Sequence, residues 1–264
     1  MTWQFCTVER DGPVTLVRIN RPEVMNALHP PANFELANIF DCFASDPAQW
    51  VAILTGAGDR AFCAGNDLKY AAELAARGER IAVPPTGFGG LTSRFDLSKP
   101  VIAAVNGLAL GGGFETALAC DLIIAAQTAD FALPEPKVGM VALAGGLHRL
   151  PRQIGLKRAM SLILTGRRVG AAEGERLGFV NQVVPAEELL SVARGLAADI
   201  IRCSPRSIRA SKQAVLQGLE EPTLASALSN QRQYSAMQEL LTSEDVKEGP
   251  RAFAEKRAPR WQNV

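Results

Sequence analysis

The 264-residue chain is poor in the residues that most often announce a chemistry. It has two histidines, His29 and His148. Neither stands at metal-ligand spacing from a Cys, Asp or Glu set, so the sequence offers no metal centre. The five cysteines (6, 42, 63, 120 and 203) are odd in number and contain no CxxC pair, which argues against a disulfide framework, a zinc knuckle and a local redox motif. No apolar run approaches the 18 residues of a membrane span. The opening MTWQFCTVERDG lacks the basic start and apolar run of a secretory leader. A soluble protein of a reducing, cytoplasmic compartment with no membrane partner is therefore expected. Charge of one sign is also missing: 28 Lys+Arg stand against 27 Asp+Glu, and aromatics are only 6%. A nucleic-acid binder usually carries a basic excess interleaved with aromatic platforms, so no nucleic-acid partner is expected. There is no G-x-S-x-G elbow and no phosphate loop ending in GK[ST].

What is present is an ordinary globular composition, 47% hydrophobic and 21% charged, in a chain long enough for a full core. Phe5–Arg10 and Val14–Ile19 flank an Asp11-Gly12 turn and read as a hairpin. Pro30-Pro31 lead Phe34, Leu36, Ile39, Phe40 and Phe43 at helical spacing. Val51–Leu54 and Val101–Val105 are short, uniformly apolar strands of the kind buried on both faces, and Ile123-Ile124 end a third after a helix at Gly112–Ala119. This alternation predicts an α/β fold with right-handed crossovers. Residues 78–90, rich in Gly and Pro, read as a mobile surface loop. Beyond Pro185 the chain turns helical, with apolar faces at 189–200, after Pro205, and across Leu224–Leu241. The expected division is a core of residues 1–190 and a helical region of 191–264.

Thr55–Ala61 fits GxGxxA after a strand, but Phe62–Asn66 prolongs the turn where a dinucleotide site needs a helix packed directly on it. The segment Pro100–Glu115 is more informative. A buried strand runs into Gly111-Gly112-Gly113, which opens a helix. Three glycines cost helix stability. Without Cβ atoms, however, they expose first-turn N–H groups that have no intrahelical partner and sit at the positive end of the dipole. An oxyanion is the ligand they serve best; close helix–sheet packing is the plainer alternative. Asp67 is placed to cap a second helix, and the amides of Ala64 and Gly112 could grip one oxygen from two sides. Cys63 beside that turn has no assignable base, so packing is its expected role.

Glu115, just inside the glycine-opened helix, and Glu135, held between Pro134 and Pro136, are the carboxylates to single out. Two carboxyls near an oxyanion site can divide proton donation and water activation. The plainer readings are a helix-terminal acid and a solvated turn acid. Two basic clusters, Arg149/Arg152/Lys157/Arg158 and Arg202/Arg206/Arg209/Lys212, suit a solvated surface or the phosphates of a bulky ligand.

Phe62–Leu68 and Pro100–Glu115, followed by Pro134-Glu135, resemble the crotonase, or enoyl-CoA hydratase/isomerase, superfamily. Gly145-Gly146, Leu164–Arg168 and Glu248–Arg257 match as well, so the resemblance covers essentially the whole chain. Phe131–Glu135, Gly166–Arg168 and Ser243–Arg257 are most similar to the carnitinyl-CoA dehydratase/enoyl-CoA hydratase subgroup. The resemblance implies a ββα spiral with a C-terminal helical trimerisation region, assembled as a homotrimer or homohexamer. It puts oxyanion donors on the N–H groups of Ala64 and Gly112, and the paired glutamates on Glu115 and Glu135. It places the coenzyme A moiety along Cys63, Gly65, Asp67 and Leu68, with Lys256 near the nucleotide. It implies no redox or metal cofactor, coenzyme A being the carrier of the acyl substrate. The activity implied is reversible hydration of a 2-enoyl-CoA; double-bond isomerisation and a non-catalytic or RNA-binding role are the alternatives on the same scaffold. Ala142 stands where the family commonly has proline, in a loop beside the acyl pocket.

Overall fold

The Asp11-Gly12 signal is realised as a tight hairpin, β1 (Cys6–Asp11) and β2 (Val14–Ile19), with Gly12 at φ +54°. This and all that follows is seen in a computed structural model that describes residues 3–262. The double proline starts α1 (Pro30–Ser45), and His29 caps it, its Nδ1 accepting from the Ala32 amide at 3.4 Å. The chain then repeats one unit: a long strand, a short strand, a helix. β3 (Val51–Gly56) leads to β4 (Ala61–Cys63) and α2 (Leu68–Ala76). β5 (Val101–Val105) leads to β6 (Leu108–Leu110) and α3 (Gly112–Ala119). β7 (Leu122–Ala126) leads to β8 (Asp130–Ala132), α4 (Gly146–Ile154) and α5 (Leu156–Thr165). After β9 (Val169–Gly170), α6 (Ala171–Leu177) and β10 (Gln182–Val184), the chain is helical: α7 (Leu189–Ile201), α8 (Pro205–Gly218), α9 (Leu224–Asn230), α10 (Ser235–Thr242) and α11 (Asp245–Ala254).

The long strands, with the short β10 at one edge, build a six-stranded sheet in the order β1-β2-β3-β5-β7-β10, parallel except for the hairpin. The other short ones build a second sheet, β4-β6-β8-β9. This is the ββα spiral that the resemblance implies. Strand residues alternate between two apolar layers, as a period of two requires. Val17, Ile19, Leu54, Ala103, Val105 and Ile123 pack inward with α1 and α3; Leu16, Val51, Ile53, Ile102 and Ile124 pack outward under α7. Both faces are covered, which is why the strands read as unbroken apolar runs.

Three expectations are corrected. The helix read across Leu224–Leu241 is two helices, broken at Gln231–Gln233 and by the extended Tyr234. The boundary at 190/191 falls inside α7, and α7 covers the large sheet, so the change of character follows Ile201. The 78–90 segment is exposed over residues 78–83 and at Pro85, but not throughout. Gly87–Gly90 are buried, because a single turn (Phe88–Gly90) threads against α1 and α3, the Gly89 amide donating to Asn33 Oδ1 at 2.7 Å. Among the described residues no helix is long and apolar enough to cross a membrane, and the five cysteines are unpaired.

Candidate active site

Three elements meet at the glycine run that opens α3. β6 delivers Gly111, whose amide donates to Ala132 O at 2.9 Å and whose φ of +53° suits glycine. The next two positions need the missing side chain for another reason. A Cβ on Gly112 would lie 2.6 Å from the Phe88 ring, and one on Gly113 would lie 1.9 Å from the Cys63 carbonyl oxygen. The glycines thus seat α3 against β4 and leave the first-turn amides accessible. Among the described residues the Gly112 N–H has no acceptor.

Facing it is the strip 64–67, which leaves β4 and runs beside residues 25–28. A Cβ on Gly65 would fall 3.2 Å from the Gly112 nitrogen, so the strip and the helix terminus touch. Here the donor expected on Ala64 must be corrected. The Ala64 N–H is already spent on Met25 O at 3.0 Å, the Gly65 N–H points to Cys63 Sγ at 3.4 Å, and the Asp67 N–H bonds Leu28 O at 3.0 Å. Only Asn66, of residues 64–67, has an N–H without an acceptor. Leu28 and Asn66 form an isolated parallel bridge in which Leu28 bonds the residues on either side of Asn66. The Asn66 amide is thereby turned outward.

Of the two glutamates, Glu115 lies in the first turn of α3 and Glu135 packs against Gly111. Glu115, 3% exposed, accepts from the Gly146 amide through Oε1 at 2.8 Å, at the first residue of α4. Burial pushes its carboxyl up to about 7; the amides of Gly146 and Ala144 pull it down, and the charge of Glu135 pushes it further up. The partly buried Arg149 guanidinium also lowers it, held over Gly145 and 5.9 Å from the Phe95 ring. Glu135 begins a single turn (Glu135–Val138). Its Oε1 lies 2.7 Å from where a Gly111 Cβ would be, and its Oε2 is buried without a hydrogen-bond partner. Burial raises its carboxyl as well. Glu115 lies in the first turn of α3 but bonds Gly146 and does not cap its own helix, and Glu135 is half-buried. Each is a carboxyl whose environment favours the proton.

The residues expected along the coenzyme divide. Leu68 is half exposed at the start of α2, and Gly65 (φ +93°) borders Gly112. Cys63 is wholly buried, with its thiol pushed up to about 12 by burial, so its side chain packs in the core, as expected. Asp67 caps α2, Oδ1 accepting from Tyr70 N at 3.1 Å, and Oδ2 pairs with Arg21 at 3.0 Å, so both carboxylate oxygens face protein. Lys256 lies just beyond the end of α11, exposed and left-handed at φ +52°; among the described residues no hydrogen bond or ion pair ties it to 63–68. Ala142 is buried between the exposed Val141 and Leu143. Sequence reasoning missed Asn66 and Phe88, and it read Arg149 as part of a surface or phosphate-binding cluster, not as the neighbour of Glu115.

The profile of the enoyl-CoA hydratase/isomerase family matches residues 9–264. The chain belongs to this family. The carnitinyl-CoA dehydratase of Salmonella arizonae is 45% identical over 257 residues, 96% of each chain, and that of Proteus mirabilis is 44% identical over 259, 95% of each. The crystal structure of enoyl-CoA hydratase from Mycobacterium tuberculosis H37Rv superposes with a TM-score of 0.90 at 39% identity, covering 98% of this chain and 99% of that one. The protein is therefore an enzyme of hydratase/dehydratase type acting on an acyl-CoA, closely related to the carnitinyl-CoA dehydratase subgroup.

Proposed function

We propose that the enzyme adds water reversibly across the double bond of a 2-enoyl-CoA thioester to give a 3-hydroxyacyl-CoA. The observation that carries this reading is the meeting of two unpartnered amides, Asn66 and Gly112, with two partly or wholly buried carboxyls. The thioester carbonyl oxygen accepts from both N–H groups. As the hydroxyl bonds Cβ, charge moves onto that oxygen, and preorganised donors in a water-poor site stabilise it without reorganising. Glu115 takes a proton from the attacking water. Glu135 gives a proton to Cα on the same face, so water is added as H and OH with no net charge. Dehydration runs the same steps backwards. A base near 7 is matched to neutral working pH, and burial shifts the Glu135 carboxyl in the direction that suits a donor. The reaction as written uses no redox group or metal; coenzyme A carries the substrate.

The coenzyme is proposed to lie along Gly65 and Leu68, with Lys256 near its phosphates. The helical region after Ile201 exposes Leu216, Leu219, Leu224, Leu228 and Phe253, which supports assembly as a homotrimer or homohexamer. A 28.2 kDa particle by sedimentation would refute the assembly. The five unpaired thiols support a reducing, cytoplasmic setting. The chemical reading is tested by crotonyl-CoA hydration: Glu115→Gln and Glu135→Gln are each expected to lose ~100-fold or more in turnover, as for removal of a general acid or base. Undiminished turnover in either folded variant would overturn that glutamate's role.

A further inference from the structure

We propose that Arg21 and Asp67 form a positioning pair that holds the Asn66 amide in its working orientation. This rests on the reading above, in which that amide binds the thioester oxygen. Asn66 faces the site only because of register. Ala64 N–H to Met25 O, Leu28 N–H to Gly65 O and Asp67 N–H to Leu28 O, at 2.8–3.0 Å, stitch the strip 64–67 to residues 25–28. A slip of one residue would turn Asn66 inward and present a neighbour's amide in its place. Three hydrogen bonds on a short irregular strip are few to set a register, so the side chains at its ends matter.

At one end Asn26, wholly buried, accepts from the Arg21 amide at 2.9 Å and donates to Ala57 O and Ala61 O at 3.0 and 2.7 Å. It holds Met25 and Asn26 in the left-handed region, at φ +58° and +56°, where residues with a Cβ are strained. At the other end the Arg21 guanidinium reaches across both segments. Its Nη1 donates to Ala27 O and to Asp67 Oδ2, the latter at 3.0 Å, with side chains only 13% and 11% exposed. Asp67 uses its second oxygen to begin α2. The pair thus ties the residue after Asn66 to the residue before Leu28, the two positions that flank the bridge. A buried ion pair adds little net stability but has one good geometry, which is what a register lock needs. The same contacts turn both Asp67 carboxylate oxygens to protein.

Asp67→Asn isolates the pair, since asparagine caps a helix as well as aspartate does. Arg21→Met removes the cation, and Arg21→Lys keeps the charge without the planar fork. The probe is butyryl-CoA, saturated and unreactive, carrying ¹³C in its thioester carbonyl. Infrared difference spectra are recorded on the folded enzyme, with circular dichroism as the check on folding. Wild type should shift the carbonyl stretch to lower wavenumber. In Asp67→Asn and Arg21→Met the shift should fall by about half or more, and kcat for crotonyl-CoA by about 10- to 100-fold with KM little changed, the loss expected when one donor is misplaced. Arg21→Lys should fall between them and wild type. An unchanged carbonyl shift in the folded variants, or a raised KM with kcat intact, would overturn the positioning role. Absence of any shift in wild type would instead overturn the oxyanion reading on which it rests.

Discussion

Replacing Glu115 by glutamine should destroy turnover and at the same time stabilise the protein. The carboxyl is 3% exposed and raised from 4.5 to about 7. In the unfolded chain it ionises near its ordinary value, so between those two points the unfolded state has released a proton that the folded state still holds. Folding stability therefore declines as pH rises from about 4.5 to 7, and the full penalty remains above 7. At ~1.4 kcal/mol per pH unit the penalty is ~3 kcal/mol above neutrality and nearly absent at about pH 4.5. Glutamine is neutral at every pH, nearly the same size, and its oxygen can still accept from the Gly146 amide. At ~2 °C per kcal/mol for a chain of this length, Glu115→Gln should unfold ~6 °C higher than wild type at pH 8, the gain shrinking towards pH 5. The assay is thermal unfolding by circular dichroism at half-unit steps of pH. A variant no more stable than wild type at pH 8, or more stable by the same margin at pH 5 and pH 8, would refute the reasoning.

Two further outcomes follow from the same geometry. Gly113→Ala puts a methyl group 1.9 Å from the Cys63 carbonyl oxygen, a backbone atom that cannot swing aside, so a loss of ~3 kcal/mol or more in chemical denaturation is expected; a loss below ~1 kcal/mol would show that β4 and α3 are not in close contact. Arg149→Met removes a cation that lowers the Glu115 carboxyl, so that carboxyl should rise further and the acid limb of the crotonyl-CoA hydration profile should move to higher pH; an unmoved limb would mean that Glu115 is not the group titrating in that limb.

The parts of this enzyme that local chemistry dictates were legible in its sequence. β-branched runs at Val51 and Val101 read as strands covered on both faces, and the glycine run at 111–113 before Glu115 reads as a costly helix start that serves an oxyanion or close packing. The proline-flanked Glu135 was singled out on stiffness alone, and it arrives against Gly111. What failed was whatever depends on register and layer. Ala64 and Asn66 lie on the same short strip, and which amide faces out is decided by the Leu28–Asn66 bridge, a non-local pairing that no periodicity carries. The glycines at 87–90 looked like mobility, yet Gly89 and Gly90 are small because Thr116 and Ala37 approach them closely. The apolar face of α7 announced burial, not that it would be buried against the large sheet.

The central claim is that one water is split across a thioester-activated double bond, its oxygen going to Cβ and a proton to Cα. Incubating the enzyme with crotonyl-CoA in H₂¹⁸O, and separately in D₂O, followed by mass spectrometry of the acyl product, tests it directly. The account predicts one ¹⁸O at C3 and one deuterium at C2 of a 3-hydroxybutyryl-CoA. A product with a moved double bond and no ¹⁸O, or bound substrate with no product, would contradict it.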